Sequence, residues 1–310
     1  MAPEPTGPVA AIDCGTNSTR LLVTGVDGAM LVRLMRITRL GQGVDATHKL
    51  DPEAIDRTVD VLTEFRQTFD RLGARRVRMV ATSAVRDAVN GQDFLDAATE
   101  VIGAPAELLS GTEEGTLAHA GATAGLPSSP GDDVVVDIGG GSTELVLQRS
   151  GRIEAVSLDL GCVRLTERHL QSDPPTAAEL AAAGAMVEAE LDRAVRTVTA
   201  LRTLRPASRL IGLAGTVSTI AALDQGLAEY DWGRLHHYIL SDGAVDRWVE
   251  ALAGEPAAER LVRPGMVAGR QDVIVGGAIV LRQVMSRFGF AECLVSESDI
   301  LDGLARSLMS

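Results

Sequence analysis

The sequence contains few aromatic residues, a single lysine and no long apolar run. Aromatic residues make up 3% of the 310 residues and hydrophobic residues 45%, so aliphatic side chains must build the core, as in stacked α/β layers. No stretch of about 18 apolar residues predicts a membrane-spanning helix. The opening residues lack the basic and apolar regions of a signal peptide, so we expect a cytoplasmic protein.

Cysteines are also scarce, and their spacing excludes two kinds of site. Cys14, Cys162 and Cys293 are odd in number, far apart and without CxxC spacing, which favours reduced thiols over disulfides or a zinc site. The formal net charge of −13 argues against nucleic acid or an anionic membrane as a partner. A polyanionic substrate would need a locally positive site, for which arginine is the better bidentate ligand.

Two common phosphate-binding motifs are missing. The sequence has no GxxxxGK[ST], and no GxGxxG that opens a helix with an acidic residue about 20 positions later. Neither a P-loop protein nor a Rossmann dinucleotide-binding protein is therefore predicted. Zinc or histidine chemistry is not indicated, because His236 and His237 are adjacent and have no acidic partner at ligand spacing.

An internal repeat is the most informative feature of the sequence. Segment 9–23 (VAAIDCGTNSTRLLV) returns without a gap at 134–147 (VVVDIGGGSTELVL). Each copy has an apolar strand, an aspartate at its end, a glycine-rich turn and a second apolar strand, which predicts a β-hairpin. Two such hairpins predict two related domains.

Strands and helices alternate around these hairpins, which predicts an α/β fold. Asp51-Pro52 should begin a helix that stops at Gly73, and the Gly125–Asp132 segment should be a loop. The remaining predicted strands are 77–81, 106–109, 153–158, 209–213 and 293–295, and the remaining predicted helices are 87–99, 113–124, 176–204, about 241–253, about 270–288 and 299–308.

The hairpin turns carry residues suited to phosphate and metal binding. Glycines and small hydroxyl residues let backbone N–H groups curl around a phosphate, and the adjacent Asp13 and Asp137 can hold a metal ion. A third turn, Gly212–Thr216, could hold an anion at a helix N-terminus or be an ordinary strand-to-helix connection. The candidate phosphate-binding residues are Gly15, Thr16, Asn17, Ser18, Gly139, Gly140, Gly141, Ser142 and Thr143.

Two further charged positions have more than one interpretation. Glu113 and Glu114 begin a predicted helix, where acidic residues commonly serve as caps and favour the helix dipole. Arg86 follows a strand and turn, and it could simply lie on a solvated helix face. The residue types alone leave a catalytic role for Glu114 and Arg86 open.

Four ordered motifs together resemble one enzyme family. AIDCGTNS at 11–18, ATSAVRDA at 81–88, SGTEE at 110–114 and DIGGGSTE at 137–144 are similar to the exopolyphosphatase and guanosine pentaphosphate phosphatase family. The resemblance implies two actin-like, ribonuclease-H-like domains with an active-site cleft between them. It implies domain limits of 1–119 plus 298–310, and 120–297.

The resemblance also implies roles for individual residues. Glu114 matches the family's catalytic base and Arg86 a phosphate-contacting arginine. Asp137 and Glu144 match an acidic Mg²⁺ site, and Asp13 matches a paired aspartate. Phosphoryl transfer to water needs in-line positioning and charge neutralisation, which a base, a metal ion and two phosphate-binding turns would supply.

The function implied is Mg²⁺-dependent hydrolysis of the terminal phosphoanhydride of polyphosphate, with short chains expected and a homodimer as the expected assembly. Hydrolysis of pppGpp, a guanosine polyphosphate, uses the same chemistry and remains an alternative. An actin-like kinase or ATPase is a second alternative. A third is a sensor that binds polyphosphate or an alarmone without turnover, although a sensor would need no catalytic base.

Overall fold

The computed structural model describes residues 7–309. The chain divides into two compact units: the first runs to Gly121 and resumes at Asp299, and the second is Ala122–Ser298. The limits expected from the sequence, 119 and 297, lie one or two residues from these positions. Each unit has its own sheet and its own largely aliphatic core.

Strands and helices follow one another as the α/β pattern predicts. The strands are β1 (Val9–Cys14), β2 (Ser18–Thr24), β3 (Met30–Ile37), β4 (Arg76–Ala81), β5 (Ala106–Leu108), β6 (Asp133–Ile138), β7 (Thr143–Arg149), β8 (Arg152–Leu158), β9 (Arg209–Leu213), β10 (Ile239–Ser241) and β11 (Glu292–Val295). The helices are α1 (Val44–Thr47), α2 (Pro52–Arg71), α3 (Ser83–Arg86), α4 (Gly91–Ile102), α5 (Gly111–Ala122), α6 (Cys162–His169), α7 (Ala177–Thr197), α8 (Ala214–Asp224), α9 (Trp232–Leu235), α10 (Asp242–Ala253), α11 (Ala257–Leu261), α12 (Ile274–Phe288) and α13 (Ile300–Met309).

The two sheets share one arrangement. The first has the order β3-β2-β1-β4-β5 and the second β10-β11-β9-β6-β7-β8. In each, three consecutive antiparallel strands precede a parallel strand that lies beside the first of them. The expected α/β class with two actin-like domains is confirmed.

Local sequence explains how the first sheet is covered. Asp51 caps α2 by accepting hydrogen bonds from the backbone N–H groups of Glu53 and Ala54, and Pro52 occupies the first helical position. The apolar stripe of α2 then places Leu62, Phe65 and Phe69 in the core. The chain's last helix, α13, packs on β1, β2 and β4 of the same sheet.

Helix α13 also packs closely against α5. A Cβ atom on Gly121 would lie 1.9 Å from the carbonyl oxygen of Asp299, and one on Gly303 would lie 2.1 Å from that of Leu117. Only glycine permits this approach. Within residues 7–309, no helix has both the length and the apolar character needed to span a membrane.

Two predicted helices differ most from the structure, and one long strand has no counterpart in the prediction. The helix expected at 87–99 is the short α3 followed by α4, which begins only at Gly91. The helix expected at 176–204 ends at Thr197 and continues as a 3₁₀ turn, Thr199–Thr203. Strand β3, which pairs with β2 along its length, was not expected.

Candidate active site

The first hairpin consists of β1, β2 and the turn Gly15–Asn17. The Gly15 N–H donates to the Ser18 carbonyl across 3.0 Å, which closes the turn. Behind it, the Thr16 carbonyl accepts from Gly41 N, and the Asn17 carbonyl accepts from Thr38 N and Arg39 N. The predicted phosphate-binding residues 15–18 therefore form this turn and the first residue of β2, and the loop after β3 donates hydrogen bonds to the carbonyl groups of the turn.

Asp13 lies at the end of β1, and its two oxygens have different surroundings. Oδ2 accepts hydrogen bonds from Arg20 Nε at 3.0 Å and Nη2 at 2.6 Å. Oδ1 is buried and has no hydrogen-bond partner among the described residues. Burial raises the pKa of Asp13, and Arg20 opposes that rise. An orphaned carboxylate oxygen of this kind fits a divalent cation.

The second hairpin consists of β6, β7 and the turn Gly139–Ser142. Gly139 N donates to the Ser142 carbonyl across 3.0 Å, as in the first hairpin. Its carbonyl groups are held by the start of α6: Cys162 N donates to Gly139 O, and Val163 N donates to Gly140 O. Thr143 is buried, and its hydroxyl donates to the Leu160 carbonyl. The predicted residues 139–143 thus form a second, similarly supported turn.

Asp137 and Glu144 stand directly opposite each other on β6 and β7. Directly opposed residues of an antiparallel pair share one face of the sheet, with Cβ atoms about 5 Å apart. Both are buried, at 7% and 1% exposure, and the Ser157 hydroxyl donates to Glu144 Oε1 at 2.7 Å. Two buried carboxylates this close favour a cation between them.

This pair fits magnesium better than a metal held by protein ligands alone. Within residues 7–309, no cluster of three or more His, Cys, Asp or Glu could hold a metal ion. Magnesium commonly binds through one or two carboxylates and completes its shell with water and substrate phosphate oxygens. Asp137 and Glu144 beside the Gly139–Ser142 turn provide the two carboxylates of such a site.

Glu113 and Glu114, of which the family resemblance selects only Glu114, have different surroundings in the structure. Glu113 accepts from Ser110 N and Oγ at 2.9 and 2.7 Å, and its own N–H donates to Ser110 Oγ. These bonds form a capping box, and the hydroxyl bond from Ser110 lowers the pKa of Glu113. Glu114 instead forms an ion pair with Arg86, with 3.5 Å between Oε2 and Nη1. Helix capping therefore accounts for an acidic residue at position 113. The Glu114 carboxylate does not take part in this capping box and faces Arg86 instead.

Arg86 is fixed close to the first turn. It is the last residue of α3, and its Nη1 also donates to the Leu109 carbonyl at 2.8 Å. Helix α3 starts at Ser83, whose hydroxyl lies 2.9 Å from that of Thr16. The structure thus brings Arg86, Glu114 and the first turn into one region of the first unit, rather than placing Arg86 on a solvated helix face.

Two arginines that sequence analysis did not select also contact glycine turns. Arg164 on α6 donates from Nε to the Gly141 carbonyl at 2.6 Å, and its position in the GCVRL segment at 161–165 was the only available signal. Arg270 approaches the third turn so closely that a Cβ atom on Gly215 would lie 1.7 Å from its Nη1. Nothing in the local sequence indicated this contact.

Comparisons with known proteins identify close relatives along nearly the whole chain. A profile of the Ppx/GppA phosphatase family matches residues 22–309. Exopolyphosphatase 2 of Mycobacterium tuberculosis is 44% identical over 316 aligned positions, which cover 97% of this chain and 98% of that protein. The crystal structure of an exopolyphosphatase-like protein superposes with a TM-score of 0.91 at 37% identity, over 97% of this chain and 99% of that one. The PPX-GPPA enzyme of Aquifex aeolicus superposes with a TM-score of 0.80 at 31% identity, over 98% and 100%.

Proposed function

The chain belongs to the Ppx/GppA phosphatase family, and from this premise we propose that it is a Mg²⁺-dependent exopolyphosphatase that releases the terminal phosphate of polyphosphate, mainly from short chains. As a family member it is a phosphoanhydride hydrolase. The observation that carries the proposal is the buried pair Asp137 and Glu144, directly opposed beside the Gly139–Ser142 turn. Polyphosphate is the proposed substrate because the M. tuberculosis relative is an exopolyphosphatase.

The proposed reaction is an in-line attack of water on the terminal phosphorus. A new P–O bond forms to the water oxygen as the bond to the bridging oxygen breaks, and the shortened chain leaves. Glu114 accepts the proton that the water loses. Arg86, which is paired with Glu114, orients that carboxylate and contacts the phosphate.

The two glycine turns supply the remaining positioning. Their backbone N–H groups would hold phosphate oxygens. In the second unit, Asp137 and Glu144 would hold Mg²⁺, and in the first unit the orphaned Oδ1 of Asp13 would bind Mg²⁺. When bound, Mg²⁺ neutralises charge on the phosphate oxygens. Arg164 lies against the second turn and is the additional cation that we expect near the phosphate chain.

A second candidate substrate is pppGpp, because the name of the matching family, Ppx/GppA, joins exopolyphosphatases with guanosine pentaphosphate phosphatases. Its terminal phosphate would undergo the same reaction with the same residues. A pure sensor is less consistent with the Glu114 environment, since binding needs the turns but not a carboxylate beside an arginine. A cytoplasmic homodimer remains our expectation for the assembly.

The test measures phosphate release with Mg²⁺ from long polyphosphate, short polyphosphate, pppGpp and ATP in parallel. Glu114→Gln should lower turnover at least about 10²-fold, the usual effect of losing a general base, while substrate binding is retained. Glu113→Gln is the matched control, because Glu113 is the neighbouring residue but serves as a cap. Its turnover should stay near that of the wild type, with slightly lower thermal stability.

The outcomes separate the alternatives. Release from short polyphosphate that disappears in Glu114→Gln supports the proposal, and release from pppGpp alone would select the second substrate. Binding of polyphosphate without release from any substrate would favour the sensor. Equal turnover in Glu114→Gln and the wild type would remove Glu114 from the role of base.

A further inference from the structure

A network of charged side chains joins the first hairpin to the start of the C-terminal helix. Arg20 contacts both Asp13 and Asp299, and Arg33 on β3 contacts both Asp299 and Asp302. Asp299 is only 5% exposed although it comes from the far end of the chain. Residues near the end of the chain therefore contact the proposed site in the first unit, although they lie far from its motifs in the sequence.

The geometry of Arg20 is unusual for a guanidinium beside a carboxylate. Arginine commonly forms two parallel bonds that cover both oxygens of its partner. Here Nε and Nη2 both donate to Oδ2 of Asp13, and Nη1 donates to Oδ2 of Asp299 at 2.5 Å. Because the guanidinium donates to two carboxylates, no hydrogen bond from it reaches the buried Oδ1 of Asp13, which has no partner among the described residues.

Asp299 is itself held rigidly. Its Oδ1 accepts from the Leu301 N–H at 2.9 Å and lies 2.8 Å from Arg33 Nη2. Its own N–H donates to Asp302 Oδ2 at 2.8 Å. The five side chains comprise three aspartates and two arginines, so the group carries one more negative than positive charge.

We propose that Asp299 is a positioning residue for the reaction: it draws Arg20 toward itself, and so keeps Oδ1 of Asp13 uncovered for the divalent cation. This inference rests on the proposed function, in which Asp13 belongs to the Mg²⁺ site. The alternative is that Asp299 only caps α13 and attaches it to the sheet. That purely structural role predicts a loss of stability without any effect on the cation.

The experiment compares Asp299→Asn with Asp302→Asn. Both changes remove one charge from the same network, and an asparagine at 299 can still cap α13. Asp302, however, pairs with Arg33 and accepts a hydrogen bond from the Asp299 N–H, whereas Asp299 itself pairs with Arg20. Each variant is titrated with Mg²⁺ alone while its thermal unfolding is followed, and kcat and KM for short polyphosphate are then measured.

Asp299→Asn should raise the Mg²⁺ concentration at the midpoint of the thermal shift about 10-fold or more, the usual effect of losing a residue that orients a metal ligand. It should lower kcat by a similar factor and change KM by less than about 3-fold. Asp302→Asn should lower thermal stability and leave the Mg²⁺ midpoint where it is in the wild type.

An unchanged Mg²⁺ midpoint in Asp299→Asn overturns the inference, whatever happens to stability. Equal shifts in both variants overturn it too, because they would indicate a general effect of charge. If Asp299→Asn does not fold, Asp299→Ser, which can also cap the helix, is judged by the same criterion.

The Mg²⁺ titration needs no substrate, so it separates this inference from the proposed function. A wild type that responds to Mg²⁺ but releases phosphate from neither polyphosphate nor pppGpp contradicts the function, while the Mg²⁺ midpoints of the two variants still decide whether Asp299 keeps Asp13 open to the cation. A wild type whose unfolding does not respond to Mg²⁺ overturns the inference.

Discussion

The first and second hairpins have the same backbone but opposite charges at one position. In both, the first turn glycine donates across 3.0 Å to the carbonyl three residues later, and the strands pair in the same register. Asp13 stands opposite Arg20, whereas Asp137 stands opposite Glu144. One aspartate therefore has a cation within the protein, and the other faces a second acid.

This difference separates what the repeated backbone supplies from what the side chains supply. The shared turn, whose carbonyl groups accept hydrogen bonds from a neighbouring segment, gives the same backbone framework twice, and the proposed function assigns phosphate binding to it. The residue opposite the aspartate is a guanidinium in the first hairpin and a second carboxylate in the second, and only the second arrangement matches the proposed Mg²⁺-binding pair. Two copies of one motif can thus differ in their charge at a single cross-strand position, which is Arg20 in the first hairpin and Glu144 in the second.

Glu144→Gln should produce the largest effect, because it removes the acid that distinguishes the second hairpin. We expect turnover to fall about 10²- to 10³-fold and the Mg²⁺ requirement to rise. Gln can still accept the bond from Ser157, so the fold should be kept. Without Mg²⁺ the variant should be slightly more stable than the wild type, because like charges opposed across strands are destabilising. Steady-state kinetics over a range of Mg²⁺ and urea unfolding without metal check both points, and an unchanged Mg²⁺ dependence would contradict the assignment.

Arg20→Gln is the reciprocal change in the first hairpin and should act mainly on stability. It leaves the buried Asp13 and Asp299 carboxylates without their shared cation, at a cost of about 3 kcal/mol in the free energy of unfolding. The two hairpins should therefore respond to loss of their cross-strand charge with stability changes of opposite sign. Urea unfolding at neutral pH measures the difference. A loss no larger than that of the control Arg36→Gln, which removes a half-exposed ion pair with Glu64, would show that Arg20 is not needed to balance these charges.

Sequence alone predicted the hairpins well because their signals are local. Apolar runs, an aspartate and glycines lie within about fifteen residues of one another, and β1, β2, β6 and β7 form where the repeat places them. The caps of α2 and α7, at Asp51 and Thr176, are likewise local signals. What the sequence could not show is that Arg20 also binds Asp299, which lies 279 residues later in the chain.

The wrong helix limits have tertiary causes. Asn90 exchanges two hydrogen bonds with the backbone of Leu50, which holds the residues before α4 outside the helix. Beyond Thr197, the carbonyl groups of Ala200 and Thr203 accept bonds from Arg149 on β7 instead of continuing an α-helix. Helix propensity near 87 and 200 did not contain this information, because the competing partners are distant in sequence.

The smallest effects are expected for the two glycines that pack against the hairpin turns. Gly41 packs behind the first turn and Gly161 behind the second, and a Cβ atom on either would lie 2.3 Å from the turn. At Gly161 the clash is with the backbone carbonyl of Gly140, whereas at Gly41 it is with two side-chain atoms, the Thr16 methyl group and, at 2.8 Å, the Ala84 Cβ. Gly161→Ala should therefore cost about 2 kcal/mol and lower turnover, while Gly41→Ala should cost about 1 kcal/mol.

The matched control for these glycine variants is Gly243→Ala, which lies in α10 with open space around its Cβ position. Its stability should be unchanged or slightly higher, because alanine favours helix formation over glycine. Urea unfolding of the three variants gives the order directly. A larger cost at Gly41 than at Gly161 would mean that the first turn is the more rigid one, even though its neighbouring atoms belong to side chains.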